Sequence, residues 1–164
     1  FLSGFCIKFL IEIVMRKTYF YQMKGISVIL AIFISMSAFG QSCIGRWITV
    51  DDDTHKNKSV VSLYRKDGIM YGKIEKLYPK KGQEVNPKCT KCEGSLNNKP
   101  IIGLLIIRGM KWNKSEWAGG TIVDPENGEK YKAKIWLDPN NSKRLKVRGY
   151  VGLFYRTQTW IRVE

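Results

Sequence analysis

Between residues 119 and 160, three turn signals separate four runs in which apolar and polar side chains alternate. Alternation with a period of two puts successive side chains on opposite faces of a strand and is incompatible with an amphipathic helix. Tyr131, Ala133, Ile135 and Leu137 fall on one face, and Lys130, Lys132, Lys134 and Trp136 on the other. Leu145, Val147 and Gly149 alternate in the same way with Arg144, Lys146, Arg148 and Tyr150. The turn Asp124-Pro125-Glu126-Asn127-Gly128 has a mechanism: proline sets φ early and Asn-Gly accepts left-handed positions. Asp138-Pro139-Asn140-Asn141 turns the chain again. Such a stretch is an antiparallel meander.

The chain upstream reads alike. Residues 44–50 form a first strand, with Trp47 and Thr49 on one face, followed by a polar hairpin loop that includes Asp51, Asp52 and Asp53. Residues 59–65 form a second strand, the Asp67-Gly68 turn suits a tight hairpin, and residues 69–78 form a third. Gly72 within it marks a bulge or a close backbone approach. Regularity stops in a long loop at 79–100, then resumes with an apolar segment at 101–107 that reads either as a buried strand or as a helical turn leading into one. Residues 117–123, bent at Gly119-Gly120, and a last strand at 157–163 complete about eight strands. The fold class expected is all-β, a small antiparallel up-and-down barrel. Closure removes the two exposed edges, and eight strands enclose an interior that side chains fill or that holds one small ligand.

The length of 164 residues fits one domain. Residues 1–22 lack an initial methionine and read as an upstream or over-extended segment, with Met15 and Met23 as candidate starts. Residues 23–40 read as a signal peptide: Lys24 is the positive region, residues 26–39 the apolar one, and Ala38-Phe39-Gly40 the small-residue cleavage site. The apolar run is shorter than the ~20 residues of a bilayer span. The domain proper is then 41–164, exported to the periplasm or secreted. A second reading acylates Cys43 as a lipoprotein, although Gly40-Gln41-Ser42 matches a lipobox poorly. The net charge is +14, and removing residues 1–40 leaves about +11. An excess of this size suits an anionic envelope surface or another acidic partner, but the lysines are spread along the chain, and solubility is the favoured explanation.

Cys89 and Cys92 form a C-x-x-C within the long loop. A disulfide is the default outside the cytoplasm, and so short a loop contributes only about 2 kcal/mol. A zinc site would have to add His55 and Cys43 to this pair, and a redox motif would need a βαβ setting that the pattern lacks. Disulfide ranks first.

Gly45-Arg46-Trp47 in the first strand, with an arginine in the last, resembles the calycin signature of lipocalins and related barrels. The resemblance implies that Trp47, with Trp160 nearby, closes one barrel end beneath a late arginine, Arg162 or alternatively Arg156. A closer resemblance spans residues 44–164. Tyr71-Gly72-Lys73-Ile74, Cys89-x-x-Cys92, Gly119-Gly120-x-Ile122-x-Asp124-Pro125-x-x-Gly128-x-x-Tyr131, Leu145-x-Val147-Arg148-Gly149-Tyr150 and Arg156-Thr157-Gln158-Thr159-Trp160-x-Arg162 are similar to an exported bacterial family, domain of unknown function 2147. This implies a small lipocalin-like barrel and no particular activity.

Catalysis is poorly served. His55 is the only histidine, no phosphate loop or dinucleotide fingerprint appears, and Asp124, Glu126 and Glu129 sit on a turn and not as facing carboxylates. No enzyme activity, metal or cofactor is expected. The candidate ligand-binding residues are Tyr131, Arg148, Tyr150, Arg156 and Gln158, since an inward arginine is costly unless it meets an anion. Two functions remain: a barrel holding a small amphipathic or apolar ligand in the cell envelope, or a filled barrel that acts through its basic surface or long loop. Export argues against a nucleic-acid partner, and oligomeric state is left open.

Overall fold

A computed structural model describes residues 42–163. The upstream segment at 1–22, the signal peptide at 23–40 and Gln41 as mature N-terminus lie outside the described residues. Eight strands follow in order: β1 (Gly45–Val50), β2 (Asn57–Lys66), β3 (Ile69–Leu77), β4 (Leu105–Asn113), β5 (Glu116–Val123), β6 (Lys130–Asp138), β7 (Asn141–Val151) and β8 (Phe154–Arg162). Each pairs antiparallel with the next, and β8 returns to β1, so the sheet closes into an up-and-down barrel. The β1–β8 seam is short: only Trp47 with Arg162 and Ile48 with Ile161 stand in register.

The boundaries differ from expectation where alternation is hidden. β2 begins at Asn57 and β8 at Phe154, each earlier than the sequence pattern indicated, because ladder pairing continues through polar or uniformly apolar residues. Val60 and Val61 are both buried but on opposite faces: Val61 stands opposite Trp47 in the core and Val60 opposite Ile48 on the outer wall, while the register shift places an extra residue, Glu75, in β3. The apolar segment at 101–107 opens with a turn and enters β4 only at Leu105. Gly72 lies between two register shifts, and a Cβ there would come within 2.7 Å of Leu63 Cδ2, so both expectations for this glycine hold together. The β5–β6 ladder shifts between Trp117 and Gly120.

The up-and-down order sorts the connections to two ends. The short β2–β3, β4–β5 and β6–β7 turns share one end with the start of β1, while the β1–β2 loop, the long β3–β4 connection, the β5–β6 turn and the β7–β8 turn share the other. Inward side chains fill the first end. Trp47, Leu63, Met70, Met110, Ile135 and Leu145 are wholly or almost wholly buried there. Burying side chains of this size stabilises by roughly 1.5–3 kcal/mol each, which is the principal cohesive term of the barrel.

The long loop is tied to the other end. Cys89 and Cys92 form a disulfide with Cα atoms 5.4 Å apart, and both are buried. The Cys89 amide donates to the Lys99 carbonyl, and Asn97 Nδ2 donates to the Cys92 carbonyl at 2.8 Å. The disulfide loop lies directly on the β5–β6 turn. Gly128 there has φ +78°, and a Cβ would meet the Lys91 carbonyl oxygen at 2.0 Å. Only glycine satisfies both the left-handed backbone and this contact.

Candidate ligand-binding cavity

Above the filled base the barrel is hollow. A cavity of 1010 Å³ opens at the end that carries the long loop. Ligand sites of drug-sized molecules span roughly 300–1,000 Å³, so the space suffices for one small molecule or one chain. Its lining includes Ile74, Ile106, Ile122, Val123, Val147 and Trp160, from β3, β4, β5, β7 and β8. Trp160 is 2% exposed and marks the boundary between the hollow and filled halves.

Polar groups in the wall satisfy one another. Thr49 Oγ1 and Ser59 Oγ lie 2.7 Å apart, and the Ser59 amide donates to Thr49 Oγ1. Tyr131 lines the cavity, and its hydroxyl accepts from Asn127 Nδ2 at 2.8 Å. These bonds engage each of the three hydroxyls and lower the polarity that the wall presents to the cavity.

Charge is concentrated at the mouth. Arg156 and Gln158 both line the cavity, and both donate to Asp52 Oδ2 in the β1–β2 loop, Gln158 at 2.9 Å. Trp160 Nε1 donates to Gln158 Oε1 at 3.3 Å, which links the cavity floor to the rim. Lys58 pairs with Glu126 at 2.7 Å. Lys56, Lys80 and Lys81 complete the cationic side of the rim. The three consecutive acids are not grouped on one centre: Asp51 accepts from the Thr54 amide and hydroxyl, which hold its carboxyl below the usual range, and Asp52 faces Arg156. Asp124 Oδ1 accepts from the Glu126 amide, so this acid shapes the β5–β6 turn. Among the described residues no three of His, Cys, Asp and Glu are grouped as metal ligands.

The five residues singled out from sequence divide between two faces. In an antiparallel ladder, directly opposed residues share a face. Gly149 opposes Arg156 and Val147 opposes Gln158, so these point inward. Arg148 opposes Thr157 and Tyr150 opposes Tyr155, and these point outward. Arg148 therefore does not join Arg156 and Gln158. It lies on the outer wall, its guanidinium 4.1 Å from the Tyr155 ring and 5.2 Å from the Trp136 ring, with Nε donating to Thr157 Oγ1. Alternation along each strand was legible, but alignment between strands depends on the turn length, and the β7–β8 turn carries no Asn-Gly or Asp-Gly signal. Asp52 was missed as a site residue because its contact spans 104 positions in the chain.

The base is closed from the N-terminal side. Arg162 lies 4.2 Å over the Trp47 ring and donates to the carbonyls of Ser42 at 2.6 Å and Ile44 at 3.4 Å. Trp47 Nε1 donates to the Cys43 carbonyl at 2.8 Å. Cys43 itself is buried, and burial pushes its thiol up to about 11.

Comparison with known proteins places these observations. The family model described as "Uncharacterized protein conserved in bacteria (DUF2147)" matches residues 45–162, and the chain belongs to this family. No curated protein matches it. Among solved structures, it is similar to protein HP1028 of the human pathogen Helicobacter pylori, described as belonging to the lipocalin family. The two share 19% identity and a TM-score of 0.62, over 75% of this chain and 84% of that one. The likeness is one of fold.

Proposed function

We propose that this member of the DUF2147 family binds a small amphipathic molecule, with its apolar part inside the barrel and a polar or anionic head at the rim beside Arg156. The observation that carries this reading is the distribution of chemistry in the 1010 Å³ cavity: a mainly aliphatic wall whose few hydroxyls bond to neighbouring side chains, below a charged mouth. An apolar chain gains roughly 0.8 kcal/mol for each methylene it buries. A carboxylate or phosphate at the rim would compete with Asp52 for the Arg156 guanidinium, whose planar fork suits either anion. The role we assign is binding without catalysis, in the cell envelope, in keeping with the export signal read from residues 23–40. The alternative of a filled barrel acting only through its surface fits the base but not the upper half.

Native mass spectrometry of the protein purified without detergent tests the proposal. The expected result is a fraction of molecules carrying an added mass that organic solvent extracts, and loss of that fraction in Val147→Trp, which fills the cavity. A uniformly unliganded protein that also fails to take up a fluorescent fatty acid would overturn it.

A further inference from the structure

The β7–β8 hairpin ends in a tip whose composition is unusual for a turn. Leu153 is 98% exposed, Phe154 79%, Tyr155 60% and Val151 59%, with Gly152 between them. Turns in water are ordinarily polar, and apolar side chains gathered on a protrusion mark a contact with something apolar. Behind the tip, on the outer wall, Tyr150 and Tyr155 form a ring pair with centroids 6.2 Å apart. Lys132 stands opposite Tyr150 in the β6–β7 ladder, and Arg148 lies against Tyr155. Among the described residues neither Lys132 nor Arg148 is paired with a carboxylate. The tip also borders the cavity, since Val151 and Arg156 both line its mouth.

We propose that this hairpin seats the mouth of the barrel on an anionic phospholipid bilayer, with Leu153 and Phe154 entering the acyl boundary and Lys132 and Arg148 meeting the phosphates. The layering is that of an interfacial anchor: apolar side chains outermost, tyrosine rings at headgroup depth, and cations behind them. Two cations with no carboxylate partner among the described residues supply complementarity to anionic lipid, and long Lys and Arg side chains reach the headgroup plane while their stems stay against apolar surface. A protein partner suits the tip less well, because four protruding side chains fall short of the roughly 800 Å² each side of a standard interface buries. A bilayer requires no matching surface. Docking in this pose directs the mouth at the membrane, so an amphipathic ligand passes between bilayer and cavity without crossing bulk water. That last consequence rests on the cavity reading above; docking itself does not.

Flotation of protein expressed from the full chain, with 100 nm vesicles of phosphatidylcholine or of phosphatidylcholine and phosphatidylglycerol in equal parts, tests the proposal. Expected are at least tenfold tighter binding to the anionic vesicles, weakening in 0.5 M NaCl, and at least a tenfold loss in Leu153→Ser/Phe154→Ser. Lys132→Gln/Arg148→Gln is expected to abolish the preference for anionic lipid. Circular dichroism of each variant checks the barrel, and the tip residues are exposed enough for substitution to leave it intact. Binding of Leu153→Ser/Phe154→Ser equal to the parent overturns the proposal, as does binding with no preference for anionic lipid. So does sedimentation showing a dimer that this double variant dissolves, which would make the tip a contact between two copies. Uptake of a fluorescent fatty acid separates the two readings: Val147→Trp should lose uptake and keep vesicle binding, and the tip variant the reverse.

Discussion

The Arg162 guanidinium lies 4.2 Å over the face of the Trp47 indole and joins the last strand to the first. Two further bonds from Arg162 hold the carbonyls of Ser42 and Ile44, so one side chain fixes both the seam and the chain that precedes it. A cation over a partly desolvated indole contributes about 1–2 kcal/mol. Arg162→Ala should lower the free energy of unfolding by about 2–3 kcal/mol once the lost carbonyl bonds are included. Arg162→Lys should recover less than half, since an ammonium cannot stack and bridge two carbonyls together. Urea unfolding followed by tryptophan fluorescence measures both.

Asp52 and Arg156 face each other at the cavity mouth, with Gln158 on the same carboxylate. Asp52→Asn should free the guanidinium and strengthen uptake of a fluorescent fatty acid about tenfold, while Arg156→Gln should weaken it by a similar factor, in line with about 1.5 kcal/mol for a charge-assisted bond. An uncharged fatty alcohol of equal length should respond to neither change. Equal responses from the two probes would remove Arg156 from the binding site.

Cys43 carries a pH signature. Burial raises its thiol from an ordinary value of 9.0 to about 11. An acid whose pKa is raised by folding holds its proton more tightly in the native state. The stabilisation is complete below pH 9 and is lost as the pH climbs through 11, on the order of 2–3 kcal/mol in all. Cys43→Ala should lack this component, so the difference between variant and parent stability should change across that window and stay flat from pH 6 to 8. The native thiol should also resist a thiol reagent until the barrel unfolds.

The disulfide and the glycine beneath it should differ in weight. Cys89→Ser/Cys92→Ser opens a loop whose ends are only three residues apart in sequence and should cost about 2 kcal/mol or less. Gly128→Ala places a Cβ on the Lys91 carbonyl at 2.0 Å and on a backbone with φ +78°, so it should cost more than the disulfide and increase amide exchange in the loop at 79–100. Thermal melts and hydrogen exchange give the comparison.

The strands of the 119–160 half were legible because lysines alternate with core residues there, as in Lys130–Asp138, and the Asn-Gly and Asp-Pro turns carry their own backbone chemistry. The contact of Trp47 with a late arginine was an implication of the calycin resemblance, with Arg162 or Arg156 as its partner, and it is Arg162 that lies over the ring. The placement of Arg148 was not legible. Inside and outside along β7 followed from Leu145 and Val147, but whether Arg156 on β8 shares the face of Arg148 or of Gly149 turns on one residue in the Gly152-Leu153 connection. A one-residue change in register exchanges the faces. The cavity was equally hidden. Residues such as Ile74 and Val147 read as core in any barrel, and only the positions of facing side chains decide which level of the interior is filled.

The short seam between β1 and β8 makes this barrel a clasp as well as a container. Thr49 and Val50 have no ladder partners in β8, so above Ile48 the two strands are held by Asp52 with Arg156 and Gln158. One carboxylate thus bridges the two strands at the mouth, where the ladder has ended, as the Arg162 guanidinium over Trp47 does at the base.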